Sequence, residues 1–202
     1  MRSQIATPHE QIRIVEQRLA ETLQVFAAYS TINRCANKET SATLNAIVNL
    51  RGGFWHATAI AFQMHLFTGV CALVEVGPEV VTLGTIANRL NKERKGTVPS
   101  EILAVLEAVR DRYAKFRHTL FGHNGKDREI LADRFDGHGF TWDMIAGDLA
   151  SLEHAFKVLW RVCDGDPVPS AEESKNMRFP FAAAVERTST DTRSLLNDLQ
   201  SL

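Results

Sequence analysis

Apolar residues recur at three- and four-residue intervals along most of the chain, the period of an α-helix with one buried face. In the first such run the stripe is Ile12, Val15, Leu19, Leu23, Phe26 and Tyr29. Thr7, Pro8 and Glu10 supply its start: the threonine caps, the proline suits the first helical position, and the glutamate completes a capping box. This helix is expected to end near Asn37. A second helical region is expected from about Ser41, with Gly52-Gly53 as a kink or break before the apolar segment 54–76 and Gly77-Pro78 as its stop. Residues 82–95 predict a shorter helix whose basic end, Arg89, Lys92, Arg94 and Lys95, reads as solvated. From Ser100 a stripe runs through Ile102, Leu106, Val109, Tyr113, Phe116 and Leu120, with Asn124-Gly125 as a C-terminal stop. Residues 126–140 read as a polar loop. Thr141 then caps a helix striped by Ile145, Leu149, Leu152, Phe156, Leu159 and Cys163, closed by Asp164-Gly165-Asp166-Pro167. Residues 169–177 read as a polar connection, and Pro180 opens a last helix toward Leu202.

No alternating strand pattern and no long repeat interrupts this series. The predicted fold class is all-α, a helical bundle of four or five principal helices forming a single domain over residues 1–202. Composition supports a packed core: of 202 residues, 45% are hydrophobic and 23% charged, both near the globular average. Six prolines and twelve glycines are too few for a sandwich or barrel with many tight turns. A formal net charge of -1 argues against a polycationic coat for nonspecific nucleic-acid binding and leaves room for a local basic site.

Cys35, Cys71 and Cys163 stand far apart, form no C-x-x-C pair and are odd in number, which points to free thiols in a reducing cytoplasm. The start Met1-Arg2-Ser3-Gln4 leads into a polar helix, so no signal peptide is expected. The apolar segment raises a membrane question, but His56, Gln63, His65 and Glu75 interrupt it, and a central buried helix is the expectation. On that helix His56 and His65 read as core histidines, and Phe54, Trp55, Phe62 and Phe67 as core or dimer-interface residues. Asp133, Asp136 and His138 read as turn residues, and no metal or other cofactor is expected.

The segment with chemical promise is Arg117-His118-Thr119-Leu120-Phe121-Gly122-His123. Continuing the stripe from Tyr113 and Leu120 puts Arg117 and His123 at the border of the packed face, near a helix end. Around them Arg110, Arg112, Lys115, Lys126 and Arg128 outnumber Asp111 and Asp127, making a locally basic stretch suited to an anionic ligand. The same pair would also suit a helix C-terminus, where cations meet unpaired carbonyls.

Arg117-His118, followed at a short interval by Gly122-His123-Asn124, resembles the signature of the HEPN superfamily: an arginine, a polar residue, then a histidine near the end of a helix. The order of an apolar helix, a short helix, the motif helix, a polar loop and a final amphipathic helix is similar to the AbiU-like branch, linked to abortive phage infection. The resemblance covers residues 50–165 as a core, leaving 166–202 as a C-terminal helical appendage. It implies an all-α bundle, commonly a homodimer that pairs two motifs, and in many members a metal-independent endoribonuclease. Carried onto this chain, it implies Arg117 gripping the scissile phosphate, His123 exchanging protons with the attacking or leaving oxygen, and His118 assisting or orienting. Asn124, Lys126 and Tyr113 are the candidate RNA contacts. The ribonuclease activity of many members implies RNA as substrate, and a toxin role implies an antitoxin as a further partner; with the apolar segment interrupted, no membrane is expected. Gly122 stands where the family more often has alanine. The alternative is a noncatalytic helical module that binds RNA, a nucleotide or a protein.

Overall fold

A computed structural model describes residues 6–37, 52–94, 96–120 and 141–200. Seven helices and no strand occur among the described residues, as an all-α fold requires. They are α1 (Pro8–Asn37), α2 (Gly52–Val74), α3 (Leu83–Glu93), α4 (Ser100–Leu120), α5 (Trp142–Asp164), α6 (Ala171–Asn176) and α7 (Pro180–Gln200). Five are long, and α3 and α6 are short. The expected second helical region from Ser41, as far as Arg51, lies outside the described residues.

The ends of the helices are where the sequence punctuates them. At α1 the Thr7 amide donates to Glu10 Oε2 at 2.7 Å, and the Glu10 amide donates back to Thr7 Oγ1 at 3.2 Å. That reciprocal box satisfies two of the amides a helix start leaves unpaired. Bonding to the Thr7 amide also holds the Glu10 carboxyl below its ordinary range. Thr141 caps α5 by accepting from the Met144 amide at 3.2 Å. Gly165 ends the same helix at φ 82°, a left-handed conformation that costs glycine nothing. Its amide donates to Val162 O at 3.1 Å and the Asp166 amide to Arg161 O at 2.9 Å, the paired bonds of a Schellman ending.

The expected polar connection at 169–177 needs correction. Ser170 and Glu173 form a second capping box and start the six-residue helix α6. Too short to show a hydrophobic period, it is announced only by its S-x-x-E start. The His154 ring on α5 meets the buried Ser174 Oγ at 2.9 Å and ties α6 to α5.

The chain divides into two compact units. The first comprises Met1–Glu16 and Val70–Met177. Its core is α5, which buries Ile145, Leu149, Leu152, Phe156 and Leu159 against α3 and α4. The partners bring Leu83, Ile86 and Leu90 from α3, and Ile102, Leu106, Val109 and Tyr113 from α4. The opening turns of α1 join this unit. His9 Nδ1 meets Asp164 Oδ1 at 2.7 Å, and Arg89 donates to Ala6 O at 2.8 Å and pairs with Glu93 at 2.8 Å. Arg89 is therefore half-buried and tied, unlike the solvated end expected of that cluster.

The second unit comprises Gln17–Gly69 and Arg178–Leu202, with Leu19, Leu66, Phe67, Phe181 and Leu196 in its core. Within it α1 and α2 run antiparallel. Tyr29 stacks on Phe62 with centroids 5.5 Å apart and accepts a bond from Gln63 Nε2 at 2.9 Å. Seven residues along each helix, Gly69 faces Thr22 so closely that a Cβ on it would lie 2.5 Å from Thr22 Oγ1. The expectation of a central buried α2 holds for its second half alone. No residue from Gly52 to His65 is buried, Phe54 is 65% exposed, and His56 and His65 are exposed, so neither is a core histidine. By length and composition α2 would also suit a bilayer.

Gly69→Ala should destabilise the protein by about 1–3 kcal/mol, because overpacking outweighs the gain of roughly 1 kcal/mol in helix propensity. In a Thr22→Ala background the same change should become neutral or favourable. Urea denaturation of the four proteins decides it: a stabilising Gly69→Ala in the parent would refute the close approach.

Candidate functional site: the end of α4 and its anchor

α4 carries the motif. Its stripe buries Ile102, Leu106, Val109 and Tyr113 toward α3 and α5, and the helix continues unbroken to Leu120. Arg117 and His118 therefore lie on α4. His123, Asn124 and Lys126, together with Asp133, Asp136 and His138, lie outside the described residues. Tyr113 is a core residue, 1% exposed.

One turn before Arg117 the helix is fastened to α5 through a carboxylate. Asp148 is only 6% exposed, and it is the one charged side chain in the buried class among the described residues. Arg112 Nη1 donates to Asp148 Oδ1 in an ion pair, while the arginine side chain keeps 38% of its surface in solvent. The hydrogen bond to Asp148 raises the Arg112 pKa further, so the guanidinium stays charged. Tyr113, the next residue, brings its phenol beside the same carboxylate. Burial foremost, and then the negative charge of Asp148, push its pKa far up, so the phenol stays protonated. Arg112 of α4 thus pairs with an acidic group of α5, and the next residue, Tyr113, is buried within electrostatic reach of the same group.

This arrangement revises the charge count of the segment. Arg110 is held by Glu107 at 3.1 Å and Asp111 at 3.0 Å, and Arg112 by Asp148. The hydrogen bond to Asp111 leads in raising the Arg110 pKa, which marks a satisfied cation. Two of the arginines that make the stretch look basic are already neutralised by neighbours, so an anion would have to be drawn by cations further along.

The other chemically reactive groups are quieter. Cys163 has its thiol pushed up to about 11, chiefly by burial and then by the Asp164 charge, so it is protonated and a poor nucleophile near neutral pH. No group of three or more metal-ligating side chains occurs among the described residues. A cleft of about 130 Å³ is lined by Val74, Ala87, Leu103 and Leu106 with Asn88 and Arg110. That is well below the ~300 Å³ at which small-molecule pockets begin.

Comparison with family models, with curated proteins and with solved structures gives no match to the chain. Its chemistry must therefore be argued from its own residues. The anchor at Asp148 is the part that sequence patterning passes over. On the stripe, Asp148 sits three residues after Ile145 and one before Leu149, inside the arc of a buried face, and an acidic residue there is the available signal.

Truncating one side of the pair should expose its cost. Arg112→Ala leaves a charged carboxylate in the core and should lower stability by about 3 kcal/mol, the low end for breaking a buried pair because the arginine is partly solvated. Replacing both partners, Arg112→Leu with Asp148→Leu, should recover most of that loss. Chemical denaturation measures both, and equal stability for wild type and Arg112→Ala would contradict the burial described.

Proposed function

We propose that this chain is a metal-independent endoribonuclease of the HEPN type, a cytoplasmic toxin or phage-defence component that acts as a homodimer. The observation that carries the reading is the run of α4: helical as far as Leu120, it puts Arg117 and His118 on one helix. The motif resemblance and the all-helical order support it. So does their proximity to an anchored stretch of helix, since a phosphate-gripping group must be held still to be effective.

In the proposed reaction the 2′-oxygen of a ribose attacks the adjacent phosphorus. His123 accepts the 2′-hydroxyl proton, or in the partner role delivers a proton to the departing 5′-oxygen. The products are a 2′,3′-cyclic phosphate and a free 5′-hydroxyl, with no change in oxidation state. Arg117 presents its fixed fork of donors to the nonbridging oxygens and stabilises the charge that builds there. His118 orients or assists. Histidine suits the proton transfers because its ordinary pKa lies near neutrality. Asn124 and Lys126 are proposed to touch the RNA strand. Tyr113, inside the core, is proposed to act on the substrate only through the residues it holds. An antitoxin is the proposed regulatory partner.

Incubating the purified chain with RNA in excess EDTA tests the reading. Wild type should cleave, and Arg117→Ala and His123→Ala should each lose at least about a hundredfold in rate. Cleavage that vanishes with EDTA, or that survives both substitutions, overturns it. Fractionation of expressing cells adds a check on location: recovery in the membrane pellet would show that α2 meets lipid and would remove the cytoplasmic assignment.

A further inference from the structure

We infer that the exposed face of α2 in the second unit is where two copies of this chain pair, with the two helices antiparallel and crossing at Ala61. The pairing supplies the homodimer of the ribonuclease reading and rests on that reading for its purpose; the surface is argued from α2 alone.

The residues that hold α2 to α1, Phe62, Gln63 and Gly69, leave one side of the helix. On the other side an exposed row runs Phe54, Ala57, Ala61, His65 and Thr68. At about 100° per residue the whole row lies within about 40° of Ala61, and the α1-facing residues lie about 80° or more from it. Phe54 keeps 65% of its surface in solvent. No Asp, Glu, Lys or Arg occurs anywhere in α2.

The spacing of the row picks out a second copy as its occupant. Ala57 and His65 stand equally far to either side of Ala61, and Phe54 and Thr68 equally far beyond them. A closed pair of identical antiparallel helices has a two-fold axis, and here it passes through Ala61. Ala61 then meets its own image, Ala57 lies opposite the partner's His65, and Phe54 opposite the partner's Thr68. Each larger side chain faces a smaller one. The alanine at the crossing lets the helices approach to the short end of the ~8–10 Å interaxial range. A self-pairing surface must also tolerate its own image, and a formal charge near the axis would meet its like. α2 carries none to meet.

A bilayer suits the same face less well. Insertion gains with the apolar area buried, and beside Phe54 the row offers two alanines, a threonine and a histidine. Spanning a membrane would also take Gln63 from its 2.9 Å bond to Tyr29. The row is about 20 Å long, and one helix pair of that length buries less than the ~800 Å² per partner of standard interfaces. A Kd of about 1–100 μM is therefore expected.

Sedimentation velocity of the full chain across that concentration range tests the pairing. Wild type should dimerise. Ala61→Glu and Ala61→Lys should each weaken the dimer at least about tenfold, and an equal mixture of the two should restore it, because position 61 faces itself. Ala61 is exposed, so both variants should keep the wild-type circular dichroism. Phe54→Ala, which removes the one large anchor of the row, should weaken the dimer about tenfold. A wild type that stays monomeric, an Ala61→Glu protein that dimerises like wild type, or a mixture no tighter than its components overturns the inference. Flotation with phosphatidylcholine–phosphatidylglycerol vesicles should leave wild type unbound; wild type that floats while Ala61→Glu does not would give the face to lipid instead. RNA cleavage in EDTA is read separately. Ala61→Glu should cleave at least about tenfold more slowly where wild type is dimeric, and equal cleavage by a monomeric variant overturns the catalytic purpose of the pair. Wild type that dimerises without cleaving RNA overturns the ribonuclease reading and upholds the surface.

Discussion

A negative charge in a hydrophobic interior has to be answered, and in the first unit everything near α4 is arranged around answering the one on Asp148. The carboxylate cannot turn to water, so its partners must come to it. Arg112 reaches in from a half-solvated position, and Tyr113 gives up all its exposure to lie alongside. The stripe of Ile102, Leu106 and Val109 is buried along the same helix. Hydrophobic burial supplies most of the stabilisation, and a buried pair with one partner removed costs more than a buried pair replaced whole.

The helices themselves were readable because their signals are local. Thr7, Pro8 and Glu10 start α1 at the expected residue, Thr82 and Thr141 cap α3 and α5, and Gly165 stops α5 with its left-handed backbone. The three-and-four stripes turn out to be buried from Ile102 to Tyr113 on α4 and from Ile145 to Leu159 on α5. What escaped the pattern is physical in each case. α6 is shorter than two turns and has no period to detect. The fate of α2 depends on what covers it, and an evenly apolar sequence carries no mark of which half is covered. His56 and His65 look internal by their neighbours and stand at the surface because that half of the helix does.

The candidate site divides along the same line. That Arg117 and His118 lie on a helix follows from the stripe. That Arg112 just before them is spoken for does not, because its partner Asp148 lies on the facing helix, whereas the partners of Arg110, Glu107 and Asp111, are on α4 itself. Counting charges along a segment overstates its attraction for phosphate whenever carboxylates lie one helical turn away or on the facing helix.

The division of the chain also has a consequence in time. The second unit draws on Gln17–Gly69 and on Arg178–Leu202, so its parts leave the ribosome far apart. At a synthesis rate of about 5–20 residues per second, α2 is made on the order of ten seconds before α7. Through that interval a 23-residue helix without a single charged side chain waits for the rest of its unit. In that interval the nascent chain offers chaperones an apolar helix to hold along its whole length.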